Sequence, residues 1–89
     1  MKVTENMKSV KINTLLKDNE GYFIVIDYDK QNNCYICIGC DEFILAMLDK
    51  YGATILTDGS FDDDTFDDVM YCFGMEDLIE LKAEIVKEY

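Results

Sequence analysis

Two apolar runs, Tyr22-Phe23-Ile24-Val25-Ile26-Asp27-Tyr28 and Cys34-Tyr35-Ile36-Cys37-Ile38-Gly39-Cys40, are separated only by Asp29-Lys30-Gln31-Asn32-Asn33. Both runs are rich in β-branched and aromatic residues, and the spacer is turn chemistry. The pattern predicts an antiparallel hairpin over residues 22–40. Ile24, Ile26 and Tyr28 would share one face of the first strand, and Cys34, Ile36, Ile38 and Cys40 one face of the second. Only an odd-length loop puts these two sets together, opposing Tyr28 to Ile36 or Cys34, with Asn32 or Asn33 in the left-handed region.

The other elements follow from periodicity. Ile12, Leu15 and Leu16 fit one face of a short helix capped by Ser9 or Asn13 and stopped by Gly21; a strand through Val10 and Ile12 is the competing reading. Residues 1–8 are polar and expected to be loose. Asp41-Glu42 opens a helix over 42–51 with the right charge for its N-terminus, carrying Phe43, Ile44, Met47, Leu48 and Tyr51 in one stripe before Gly52. Residues 53–57 read as a third strand. A helix over 62–73 would collect Phe66, Val69, Met70 and Phe73 on one side and Asp63, Asp64, Asp67 and Asp68 on the other. In the last segment Ile79, Leu81, Ala83 and Ile85 alternate with charges, but Leu78 and Val86 break the alternation, so a helix over 76–88 is expected. The fold class is α+β: one domain over 1–89, a small antiparallel sheet packed with three to four short helices. Its core would contain Phe23, Ile24, Ile26, Ile36, Ile38, Phe43, Met47, Leu48, Phe66, Val69, Leu78 and Ile85.

Charge divides this chain unevenly. From Asp58 to Tyr89 there are eleven carboxylates and two lysines; the first 57 residues have eight acids and six lysines. The net charge is −11. Direct binding to DNA, RNA or an anionic membrane would carry the wrong sign. On a helix, Asp63 with Asp67 and Asp64 with Asp68 would be repulsive pairs costing about 0.2–0.5 kcal/mol each. Solubility alone would tolerate interspersed lysines, so the field itself is read as a binding signal for a positively charged partner.

Catalytic and metal readings fare worse. Histidine is absent, which removes the commonest acid–base group and metal ligand. There are four cysteines, Cys34, Cys37, Cys40 and Cys72; the string Cys34-x-x-Cys37-x-x-Cys40 lacks the neighbouring fourth cysteine of an iron–sulfur site, has only the distant Cys72 as a fourth zinc ligand, and in a strand would point Cys37 away from Cys34 and Cys40. They are expected to be reduced, metal-free core residues. An EF-hand loop beginning at Asp58 fails at its sixth position, Asp63, and at its twelfth, Val69. The chain is therefore expected to be no enzyme and to use no cofactor. It has no apolar stretch approaching the roughly 20 residues of a membrane span and no apolar leader, so a cytoplasmic location is expected.

The order of short helix, antiparallel hairpin, helix, acidic stretch and C-terminal helix resembles the small acidic anti-CRISPR proteins, type II inhibitors encoded by phages and prophages. The matching stretch is Asp62-Asp63-Asp64-Thr65-Phe66-Asp67-Asp68, followed by Glu76-Asp77 and Leu81-Lys82-Ala83-Glu84. The resemblance implies an acidic surface that imitates DNA phosphates in the groove of a CRISPR nuclease. The expected partner surface is Asp62, Asp63, Asp64, Asp67, Asp68, Glu76, Asp77, Glu80 and Glu84, with Tyr71 supplying apolar contact. The expected function is a protein-binding inhibitor of a nucleic-acid-binding protein, a CRISPR effector nuclease above all. The alternative is a small regulatory or immunity-type partner that binds another protein, or dimerises, through an apolar face.

Overall fold

The structure, a computed structural model, describes residues 1–62 and 64–89. Five strands form one sheet: β1 (Thr14–Lys17), β2 (Tyr22–Asp29), β3 (Cys34–Cys40), β4 (Met70–Phe73) and β5 (Glu84–Glu88). Their spatial order is β4-β3-β2-β1-β5, and every neighbouring pair is antiparallel. Two helices complete the fold, α1 (Glu42–Tyr51) and α2 (Met75–Glu80). The connection β4–α2–β5 carries the chain from one edge of the sheet to the other. The fold is α+β as expected, but with two helices and short 3₁₀ turns in place of three to four helices.

The predicted hairpin is present, and its register is achieved by another route. The loop joining Asp29 to Cys34 has four residues, an even number. Asn33 closes it at φ 51°. Asp29 accepts the backbone N–H groups of Gln31 and Asn32 and the side-chain amide of Asn32. Those bonds, led by the Asn32 amide, hold its carboxyl below the usual range. With this loop Tyr28 faces Tyr35, not Ile36 or Cys34. An uninterrupted ladder would then oppose Ile24 to Gly39. A bulge at Ile26 absorbs one residue, so that Ile24 faces Ile38 and Val25 faces Cys37. The matching of apolar faces, expected from loop length, is thus performed by the bulge.

Both faces of the sheet are covered. On one, Leu15, Ile24, Ile38 and Cys40 pack with Ile44 and Leu48 of α1, with Ala53, Ile55 and Leu56, and with Phe66. On the other, Leu16, Phe23, Val25, Tyr35 and Cys37 pack with Leu78 of α2, Ala83, Val3 and Val10. The buried Tyr35 hydroxyl accepts the Val10 N–H at 2.9 Å and ties the N-terminal arm to this second face. Residues 1–8, expected to be loose, include the buried Val3 and a backbone bridge from Lys2 to Glu84.

Helix α1 follows its sequence signals. The Asp41 side chain accepts the Ile44 N–H at 2.9 Å, and Gly52, at φ 83°, closes the last turn onto Leu48. Its stripe is narrower than expected: Ile44 and Leu48 are buried, whereas Phe43 is 60% exposed. Ile26, Ile36, Met47, Val69 and Ile85 of the predicted core are half-buried.

Four other expected elements are corrected. Residues 9–19 contain β1, not a helix; Leu15 and Leu16 are adjacent and each fills a different core, which a strand allows. The strand begins after Ile12, so the competing reading through Val10 and Ile12 also misplaces it. Residues 53–57 form a 3₁₀ turn, Ala53–Leu56, whose apolar side chains fold back under α1. In place of a helix over 62–73 there is a 3₁₀ turn, Asp67–Val69, followed by β4. The C-terminal helix stops at Glu80; Lys82, at φ 54°, reverses the chain into β5. Of the alternating residues in this segment only Ile85 lies in β5; Ile79 is in α2, and Leu81 and Ala83 are in the connection between them.

The cysteine expectation divides. Cys34 and Cys72 are joined by a disulfide, contrary to the prediction of free thiols, because β3 and β4 are neighbours and their Cα atoms lie 5.7 Å apart on one face. Cys37 and Cys40 are free and buried. Burial pushes both thiols up to about 12, with Cys40 adding to the effect at Cys37 and Asp41 at Cys40. Tyr89 is likewise raised to about 12, by burial and by its hydrogen bond to Asp49. All three shifts have one sign. The folded state disfavours the ionised form, so the stabilisation is complete below the unfolded thiol value of 9.0 and is lost as pH rises toward about 12. The melting temperature should hold through neutral pH and fall above pH 9.0. In a Cys37→Ala, Cys40→Ala double variant that alkaline fall should be shallower. Equal slopes in the two proteins would contradict the assignment.

A candidate acidic interface at the β4 edge

Strand β4 is the outermost strand on its side of the sheet, and acids stand at both its ends. Asp67 and Asp68 lie on the 3₁₀ turn that leads into it, and Asp62 and Asp64 in the preceding loop; all four are exposed. Gly74 passes the chain directly into α2, whose first turn carries the exposed Glu76 and Asp77. Asp77 accepts the Gly74 N–H at 2.8 Å, which holds its carboxylate at the end of the strand. Asp63 lies outside the described residues.

The strand is fastened from both faces. The disulfide to Cys34 anchors it on one. On the other, the Tyr71 ring crosses Gly39: a Cβ there would meet the ring at 3.3 Å, closer than ordinary van der Waals contact. Tyr71 stacks on Phe73 with ring centroids 5.6 Å apart, and Phe73 in turn meets Phe23 at 5.4 Å. Tyr71 remains 44% exposed. Phe23, Gly39, Tyr71, Phe73 and Leu81 line a groove of about 420 Å³ together with Asp18 and Glu20. A second groove of about 460 Å³, on the face of α1, is lined by Phe43, Phe61, Phe66 and Val69 with Glu20 and Asp41. Apolar surface and carboxylates therefore alternate around this edge.

The predicted acids do not form one helical face. Asp64 and Asp68 are on a loop and a 3₁₀ turn, so the repulsion expected of a helical pair does not arise. Asp62, Asp64, Asp67 and Asp68 gather before β4, and Glu76 and Asp77 after it. Glu80 ends α2 beside Asp18 and Glu20. Glu84 is elsewhere: it opens β5 at the far edge, in register with Lys17 and bridged to Lys2.

The two edges differ in charge. Near β5, Lys11 pairs with Glu88 at 3.9 Å and Lys87 with Asp49 at 3.8 Å. No lysine lies between Lys50 and Lys82 in the chain, and neither ion pair includes an acid of the β4 edge. Asp18 and Glu20 were missed in the sequence. Their signal was the turn Asp18-Asn19-Glu20-Gly21, in which Asp18 accepts the N–H groups of Glu20 and Gly21 and turns the chain toward the groove.

Among the described residues no group of three or more cysteine, aspartate or glutamate side chains is arranged to hold a metal ion. Asp58 instead accepts the N–H and hydroxyl of Ser60, bonds that hold its carboxyl below the usual range. No helix among those residues is long and apolar enough to cross a membrane. The chain matches no protein-family model, no curated protein and no solved structure.

Proposed function

We propose that this chain is a protein-binding inhibitor whose β4-edge carboxylates stand in for nucleic-acid phosphates and so block a nucleic-acid-binding protein. The observation that carries the reading is the acidic edge: Asp62, Asp64, Asp67, Asp68, Glu76 and Asp77 are exposed around one strand and outside both ion pairs, and Lys8, which shares a groove with Glu76, is the lysine nearest to them by groove lining. Like charges so arranged favour a cationic surface and speed encounter with it. The target is a protein with a basic groove for DNA or RNA. A CRISPR effector nuclease is the first to test, although the helix order behind that resemblance is not the order of this fold.

Replacing Asp62, Asp64, Asp67 and Asp68 together by Asn removes four charges and no buried contact. The expected result is an unchanged or slightly raised melting temperature and a loss of target affinity of about 100-fold or more. Affinity of the original chain should fall steeply with salt, and nucleic acid should compete for the target. The exposed Tyr71 and Met70 favour a second reading, a regulatory or immunity-type partner that docks through apolar contact. An Asn variant that binds undiminished, beside a Tyr71→Ala variant that does not bind, would replace the first reading with the second.

A further inference from the structure

The two sheet edges are finished differently. Along β5, Ile85 donates to Met1, Val3 donates to Ala83, and Lys2 bridges Glu84, so the N-terminal residues lie against that strand. Along β4 nothing comparable is found among the described residues. Outside its ladder with β3, no backbone group of residues 70–73 is hydrogen-bonded to another part of the described backbone. An antiparallel edge strand points alternate N–H and C=O groups outward, where they can accept another strand. The Cys34–Cys72 bond and the Tyr71 ring over Gly39 hold this edge extended before any partner arrives.

A second copy of the chain is a poor occupant. In an antiparallel pair of β4 strands centred between Tyr71 and Cys72, Met70 faces Phe73 of the other copy. At each end of such a pair the acids that precede β4 in one copy, Asp67 and Asp68, would come near those that follow it in the other, Glu76 and Asp77. The same carboxylates that repel a copy would attract lysine or arginine at each end of a foreign strand. Tyr71 and Phe73, stacked on one face, offer its intervening side chains apolar and cation–π contact.

We propose that the β4 edge accepts an extended, cationic segment of the target protein as a sixth strand, paired to Met70–Phe73 and flanked by Asp67–Asp68 and Glu76–Asp77. This rests on the charge-mimicry reading for the sign of the partner and adds the backbone as the second element of recognition.

The probe is a short peptide with lysines at both ends of an alternating valine–threonine core, titrated against the full chain in its oxidised form. Binding should be saturable, and amide hydrogen exchange at residues 70–73 should slow in the complex. Methylation of alternate peptide nitrogens, which keeps every charge, should weaken binding by about tenfold or more. If the methylated peptide binds as tightly as its parent, or exchange at 70–73 is unchanged, strand addition is overturned while charge mimicry stands. If a peptide with glutamine in place of each lysine protects the same amides equally well, the cationic partner is overturned. A parent peptide that does not bind overturns the proposal as a whole.

Discussion

Leu16→Ala and Leu48→Ala are each expected to lower the free energy of unfolding by about 3–4 kcal/mol, read from urea denaturation curves. Both side chains are 0% exposed. Each change removes buried methyl groups and leaves a cavity that a packed strand or helix cannot easily close. The two sites differ in position: Leu16 belongs to the core under α2 and Leu48 to the core under α1. With the sheet between them and no shared cluster, their costs should add. The double variant would then lose about 6 kcal/mol or more, comparable to the whole stability of many domains of this size, and should be largely unfolded. A double variant no less stable than either single one would mean the cores are not independent.

Reduction of the Cys34–Cys72 disulfide should be nearly as costly. The residues are 38 apart in sequence. Closing a loop of that length in the unfolded chain corresponds to about 4 kcal/mol on the chain-entropy scale. The measurement is denaturation with and without reductant, repeated on a Cys34→Ala, Cys72→Ala variant that should match the reduced chain and ignore reductant. Amide exchange at residues 70–73 should rise on reduction more than exchange in β2, because β4 is a four-residue edge strand whose only sheet neighbour is β3. An unchanged midpoint on reduction would remove the bridge from the list of what holds the edge in place.

The hairpin and α1 were legible because their signals are local. β-branched runs flanking a turn, and an N-capping acid followed by an apolar stripe and a glycine, need no knowledge of the rest of the chain. The bulge at Ile26 was not legible, since it is forced only once the loop length and both covered faces are known. The covered faces do leave a trace: Tyr22 to Ile26 is apolar without interruption, as a strand buried on both faces should be. β1 failed for the same reason. Leu15 and Leu16 look helical beside Ile12 only if one core is assumed. The apolar residues of 62–73 and 76–88 recur at helical spacing, and that spacing predicts the part that forms α2, Met75–Glu80; pairing with β3 and β1 overrides it at Met70–Phe73 and Glu84–Glu88. At the candidate interface the carboxylates were visible as composition, and their exposure follows from their charge. Their division between the two ends of one strand, and the separation of Glu84 from the rest, depend on a sheet order that no local pattern encodes.

The passage of the chain from β4 through α2 to β5 also sets an order of events in time. β1, β2 and β3 follow one another and can pair by closing short loops. β4 must return to β3 across α1 and the acidic loop, and β5 must reach back to β1, where Thr14 meets Glu88 from the other end of the chain. Contacts so distant in sequence form slowly, because the entropy of the intervening loop is surrendered before they repay it. A newly made chain would therefore hold a three-stranded meander with β1 and β3 as open edges until β4 covers β3, and then with β1 open until β5 covers it. For that interval its fate turns on a race between closing those edges and meeting another unfinished chain.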